Sequence, residues 1–158
     1  MVEKNKVNPY YVSNLLGPLA LTVAKDCDSE ILSLIDYSSK EHSRLVIQYL
    51  IKPNFERLND STKLQVCNAL AYFSSRLETK SEVIESKLLL CEIPPDYHQL
   101  FLEVLWESIF PGESAEAIAN GVKGTVDRPL TAVQYSYEKK ASITLDKMVN
   151  DLYTRLQS

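Results

Sequence analysis

The sequence predicts an all-α protein, an irregular single-domain bundle of about seven or eight helices spanning residues 1–158. Three observations support this fold class. The chain of 158 residues has the usual size of one domain, so we expect a single hydrophobic core. Only 4 residues are glycine, which argues against a sandwich or barrel of many short strands. Apolar residues recur at spacings of three and four between helix-capping and helix-breaking residues.

Helix signals begin near the N-terminus of the chain. Asn8-Pro9 is a typical helix start, and Gly17-Pro18 interrupts that helix before it resumes toward residue 25. Asp28 or Ser29 is the expected cap of a short helix over residues 31–35. The first part of the chain therefore contributes short helices to the bundle.

Two longer helices are expected in the middle of the chain. Ser38 and Glu41 have the spacing of a capping box, and the helix they open should end at Pro53. Asp60 or Ser61 then caps a helix whose apolar residues all fall on one face.

The next helices include the most apolar segment of the sequence. Thr79 and Glu82 form a second expected capping box, and Pro94-Pro95-Asp96 is a break followed by a cap. The helix Tyr97–Phe110 should lie near the centre of the bundle, because apolar residues cover most of its circumference. A short helix over 114–120 should follow it.

The C-terminal quarter has two interpretations. Asp127–Pro129 resembles a helix start, and apolar residues at spacings of three and four then favour one long helix to Leu156. Residues 133–138 also alternate with a period of two, so a minor β-hairpin near 124–138 is the alternative. From Leu145 onward the pattern is helical under both interpretations.

Negative charge is concentrated in one quarter of the chain. The net charge is −4, but residues 82–120 contain eight acidic residues and one basic residue, for a net charge of −7. The remainder has a net charge of +3. An acidic protein is repelled by nucleic acid and by anionic membranes, so we expect neither as a partner.

The cysteines indicate a reducing compartment. Cys27, Cys67 and Cys91 are an odd, widely spaced set without CxxC or Cys/His clustering, which predicts free thiols and no metal site. The apolar stretch Leu15–Ala24 is interrupted by Gly17-Pro18, so we expect no signal peptide, and no stretch is long enough to cross a membrane. A cytoplasmic location is therefore predicted.

Catalytic and cofactor motifs are not recognisable in the sequence, and we expect neither enzymatic activity nor a cofactor. The two histidines, His42 and His98, both fall in predicted first turns of helices, where a polar residue needs no catalytic role. Glu103 and Glu107 share one helix face, but the other ligands of a carboxylate metal centre are missing.

One surface stands out as a candidate partner-binding site. The helix Tyr97–Phe110 and its cap leave a single polar stripe of Asp96, Gln99, Glu103 and Glu107. Like charges at a spacing of four destabilise a helix slightly, so an acidic stripe is either an ordinary solvated face or a surface that attracts a basic partner. The other acids expected to contribute to this patch are Glu92, Glu113 and Glu116.

Three functions are consistent with these observations. The first is a small acidic binding protein that occupies a basic protein partner, as an inhibitor or immunity-type protein does. The second is a helical scaffold or regulatory subunit that self-associates into a homo-oligomer through an apolar face, for example that of the C-terminal helix. The third is an enzyme with an unrecognised acid pair, which requires a pocket containing His98 and Glu103.

Overall fold

A computed structural model describes residues 6–25, 30–75 and 80–158. Within these ranges the chain is mainly α-helical with one pair of two-residue strands, which confirms the predicted all-α class. The expected caps Asp28 and Ser29 lie outside the described residues. The helices and strands are β1 (Lys6–Val7), α1 (Tyr10–Leu15), α2 (Gly17–Ala24), α3 (Lys40–Val46), a π-helical turn (Ile47–Ile51), α4 (Lys52–Arg57), α5 (Asp60–Ser75), α6 (Glu82–Leu90), a 3₁₀ turn (Pro95–Tyr97), α7 (His98–Ile109), α8 (Ala115–Ala119), β2 (Gly124–Thr125) and α9 (Leu145–Gln157).

Helix α7 lies at the centre of the bundle, as its composition predicts. It packs against α3 and against α5, while α8 packs on α5. Phe101 of α7 is completely buried, and its ring meets that of Tyr37 edge to face at 5.8 Å between centroids. The buried apolar side chains of the described residues form one cluster that includes both rings. This burial leaves α7 only a narrow face toward solvent.

Pro53 does not end its helix, so that prediction is wrong. The chain continues from α3 through the π-helical turn into α4, where Pro53 lies in the first turn. A proline is tolerated there because its missing N–H is one of those that have no partner within a helix. The π-helical turn therefore allows an almost continuous helical path from Lys40 to Arg57.

Three of the predicted helix caps are displaced. Ser39, not Ser38, caps α3 by accepting a hydrogen bond from the His42 amide at 3.3 Å. The hydroxyl of Ser38 instead donates to the Asp36 carboxylate at 2.6 Å, which explains the shift. At α5 the side chain of Asn59 takes the capping role, one residue before the predicted caps.

The cap of α6 is Ser81, whose hydroxyl accepts from the Ile84 amide at 3.4 Å. The predicted box needs Glu82 in the third helical position, whereas Glu82 is the first residue of α6, so this box is wrong. Its other member, Thr79, lies outside the described residues. Ser81 fixes the start of α6 beside the candidate site.

Residues 126–144 are irregular, so the predicted long C-terminal helix is wrong in its first half. Glu138 N donates to Arg57 O at 2.7 Å, Asn59 N donates to Ser136 O at 3.0 Å, and Tyr137 forms an antiparallel bridge with Leu58. These tertiary hydrogen bonds replace the helical ones that the local spacing favours. Helix α9 begins at Leu145, as predicted.

The two short strands form a parallel pair between distant parts of the chain, not a hairpin. Lys6 pairs with Gly124 and Val7 pairs with Thr125. Asn8 extends the contact, because its side-chain amide donates to Arg128 O at 2.7 Å. The strand expected near 124–138 therefore exists, but its partner is the N-terminal segment.

The C-terminal helix α9 buries one face against the π-helical turn and α2. Met148, Val149 and Leu152 are the buried residues of that face. Among the described residues, no helix combines the length and the apolar character required to cross a bilayer.

Candidate functional site

The polar stripe on α7 is present in the structure. Glu103 and Glu107 are the exposed residues of α7, and Asp96 is exposed in the 3₁₀ turn before it. Gln99 is half-buried, and its side-chain amide donates to Ser74 O of α5 at 2.6 Å. Three acids therefore face solvent along one line, while Gln99 serves to tether α7 to α5.

The carboxylates of the stripe are poorly neutralised. Glu107 lies 4.0 Å from the Arg44 guanidinium, and both side chains are about half exposed. An exposed ion pair at that separation contributes little to stability and neutralises the carboxylate only weakly. Glu103 and Asp96 form no ion pair within the described part of the chain. The lysine of the C-terminal helix α9, Lys147, instead lies 2.6 Å from the Asp151 carboxylate of its own helix.

The other nominated acids do not extend this line as one patch. Glu113 and Glu116 are exposed beyond the C-terminal end of α7, next to α5 and α8. Burial raises the pKa of the Cys67 thiol of α5 to about 11, and the Glu113 carboxylate adds to that rise. The backbone carbonyl of Glu113 accepts from the Trp106 indole at 3.0 Å.

Glu92 lies apart, at the C-terminal end of α6. Its backbone φ is 59°, and its backbone N–H donates to Leu89 O at 2.9 Å. The backbone N–H of Ile93 donates to Leu88 O at 3.1 Å. These two hydrogen bonds form a Schellman motif, in which glycine usually occupies the left-handed position. Glu92 also lines a cavity of about 250 Å³ together with Tyr37 and Tyr97, and this cavity is separate from the stripe on α7.

Tyr37 is a buried polar residue that lines this separate cavity. It is only 8% exposed, and its hydroxyl has no hydrogen-bond partner among the described residues. Burial raises the pKa of Tyr37, and the neighbouring Cys91 and Glu92 add to the rise. A buried donor without a partner lowers stability, because its hydration is lost without replacement.

We therefore expect Tyr37→Phe to leave the free energy of unfolding unchanged or to raise it by up to about 1 kcal/mol. Urea unfolding followed by circular dichroism measures the difference. Tyr11→Phe is the matched control, since the Tyr11 hydroxyl donates to Gln134 O at 3.5 Å and its removal should be slightly destabilising. A loss above about 1 kcal/mol in Tyr37→Phe would show that the hydroxyl is satisfied in solution.

A groove lies beside the N-terminal end of α7. It consists of two adjoining cavities of about 290 and 340 Å³, which share Phe73, Lys80 and Ser81. Buried apolar side chains of Phe73, Ile84 and Leu102 form its floor. Its rim carries Lys80 and four acids, Glu82, Glu85, Asp96 and Asp127.

His98 and Glu85 form a partly buried side-chain pair at the edge of this groove. The Nδ1 atom of His98 bonds the Glu85 carboxylate, and Nε2 bonds Ile93 O at 2.8 Å. Both ring nitrogens are therefore engaged, so neither is available to accept a proton from a substrate. The pair links the first turn of α7 to α6 and to the residues that follow α6.

Glu103 does not line this groove, so the pocket that the enzyme hypothesis requires is not formed with that residue.

The described cysteines are unpaired thiols of low reactivity. Burial raises the pKa of Cys91 to about 12, although Lys87 opposes the shift, and Cys91 donates weakly to Leu16 O. Since the thiolate is the reactive form, both Cys67 and Cys91 are protonated and unreactive near neutral pH. Cys27 lies outside the described residues, and within them no group of His, Cys, Asp and Glu is placed to hold a metal ion.

Local sequence patterns predict the stripe on α7 but not the groove. The missed charged residues of the groove are Lys80, Glu82, Glu85 and Asp127. Glu85 belongs to a different helix, and Asp127 lies in the irregular segment after β2. Their only sequence signal is membership of, or proximity to, the acidic segment 82–120.

Comparisons with known proteins provide no relative from which to infer a function. No protein-family model matches the chain, and neither a curated protein nor a solved structure is significantly similar to it. The functional argument therefore depends on the chemistry of these surfaces.

Proposed function

We propose that this chain is a protein-binding module that occupies a basic protein partner through its acidic surface, and that it is not an enzyme. One observation carries the proposal. Along the stripe, Asp96 and Glu103 form no ion pair within the described residues, and Glu107 is only 4.0 Å from the exposed Arg44 guanidinium. A surface with so little internal compensation raises the local concentration of cations and speeds the approach of a basic partner.

Other features are consistent with binding rather than catalysis. His98 has no free ring nitrogen, and Cys67 and Cys91 have raised pKa values. The absence of a poised nucleophile or base among these groups favours a protein that acts by covering its partner, as an inhibitor or immunity-type protein does. Free thiols at Cys67 and Cys91 fit the cytoplasmic location that we propose.

Self-association is a second candidate function, but on a different face from the one first expected. The apolar face of α9 is buried within the chain and is not available to a second copy. Leu89 and Leu90, however, are adjacent at the end of α6 and remain 55% and 64% exposed. Light scattering with Leu89→Ser/Leu90→Ser distinguishes this function, because a dimer built on that face should dissociate.

The experiment that tests the acidic surface is affinity capture from native lysate with the tagged chain. We compare wild type with Glu103→Lys/Glu107→Lys, which reverses both exposed charges of α7. A basic protein captured in stoichiometric amount by wild type should bind the variant at least about tenfold more weakly, and should be released by high salt. Circular dichroism establishes that the variant is folded.

The matched control is Glu56→Lys/Glu138→Lys, which changes the net charge equally at two exposed positions away from α7. Capture should survive in this control if the surface, rather than the total charge, recognises the partner. Equal capture by all three proteins, or loss in both variants, contradicts the proposed surface.

A further inference from the structure

We infer that the groove beside α7 binds an extended basic segment of the partner, placing one cationic side chain in each of its two cavities. This inference rests on the proposed function and assigns it a specific site. It extends the binding surface from the exposed stripe into the groove, which Asp96 and Gln99 line together with residues of α6.

The shape of the groove suits a peptide segment. Its buried apolar residues are Phe73, which lines both cavities, and Ile84 and Leu102, which line the first, whereas its rim is polar. An apolar floor with a few polar groups at the edge is typical of binding sites. The two cavities adjoin at Lys80 and Ser81, so an occupant longer than one side chain can contact both.

The charges of the rim determine the chemistry of the occupant. Glu85 and Asp96 line the first cavity, and Glu82 and Asp127 line the second. Glu85 already bonds His98, but Glu82, Asp96 and Asp127 form no ion pair within the described ranges. These three carboxylates are exposed, so a cationic side chain that enters either cavity meets a carboxylate without a charged partner among the described residues. Complementary charge therefore specifies arginine or lysine side chains.

Among the described residues, Lys80 is the lysine or arginine that lines the groove, and it lies at the junction of the two cavities. Its ammonium group repels a basic segment and favours placing the cationic side chains on either side of it. Removal of this charge should therefore strengthen binding, in contrast to removal of an acid. A general loss of structure cannot produce that increase.

The test measures binding of a fluorescein-labelled hexa-arginine peptide to the full chain by fluorescence anisotropy at low salt. The groove variant is Asp96→Asn/Asp127→Asn, and the matched control is Glu56→Gln/Glu138→Gln, which removes the same charge at two exposed positions away from α7. We expect about fivefold to tenfold weaker binding in the groove variant, as two partly screened ion pairs imply, and less than about twofold in the control. Lys80→Gln should bind about twofold more tightly.

Methyl NMR spectra recorded with the same peptide locate the contact. Shifts at the methyl groups of Ile84 and Leu102, lost in the groove variant, are the expected result. Equal weakening of both double variants without such shifts overturns the groove, because the total charge alone then explains the binding. Weakening in the control variant alone also overturns the groove. No binding by wild type overturns the groove as well, and the capture experiment then decides the proposed function separately.

Discussion

Replacement of His98 by alanine should lower the free energy of unfolding by about 2–4 kcal/mol. The imidazole is 5% exposed and bonds both the Glu85 carboxylate and Ile93 O. Alanine removes both bonds and leaves the carbonyl and the half-buried carboxylate without this partner. Urea unfolding followed by circular dichroism measures the change in midpoint.

The matched control is His42→Ala, because His42 also lies in the first turn of a helix. Its Nδ1 atom accepts from the Asp36 amide at 2.9 Å, but the side chain is only partly buried. We expect a loss below about 1 kcal/mol there. If His98→Ala lowers the free energy of unfolding no more than the control does, the His98–Glu85 pair contributes little to stability, because water then replaces the imidazole as the partner of Glu85.

Replacement of Phe101 by alanine should have a still larger effect, about 3–5 kcal/mol. The ring is completely buried at the centre of the bundle and packs edge to face on Tyr37. Alanine leaves a cavity that the surrounding helices α3 and α5 cannot fill without moving. Since domains of this size are stable by only about 5–15 kcal/mol, such a loss is a large fraction of the total.

Two further variants define the cause of that loss. Phe101→Leu keeps most of the apolar volume and should lose markedly less stability than alanine. Glu103→Ala, on the exposed face of the same helix, should change stability by less than about 0.5 kcal/mol. A small effect of Phe101→Ala would mean that the central helix is not packed as the structure describes.

The parts of the fold that are predictable from sequence are those with a strong local cause. Helix α7 is such a case, because its apolar residues leave one polar line and Pro111-Gly112 ends it. The start of α9 is similarly local, since Thr144 caps it by accepting from the Lys147 amide. Local hydrogen bonds and periodicity suffice for these elements.

Other parts depend on contacts between distant residues. Residues 134–139 have a helical spacing, yet their backbone bonds Arg57 and Asn59 instead. Pro53 looks like a helix end, but the π-helical turn before it accommodates the proline. Local patterns cannot indicate either outcome, because the partner groups lie in another part of the fold.

The candidate site divides in the same way. Glu103 and Glu107 are predictable as exposed neighbours, because four residues bring side chains to the same face of a helix. The groove joins Asp127 to Lys80 and Ser81, which only the tertiary fold places together. The spacing of residues along the chain therefore predicts the stripe, but it does not predict the groove.

The contact between the N-terminal segment and residues 124–128 determines when the groove is completed during folding. The hydrogen bond from Asn8 to Arg128 O joins residues 120 positions apart, and β1 and β2 contribute only two residues each. Closing so long a loop for so few bonds is entropically unfavourable until the helices between have assembled. Thr125 and Asp127, which line the second cavity, should therefore reach their places late, after the helical core has formed.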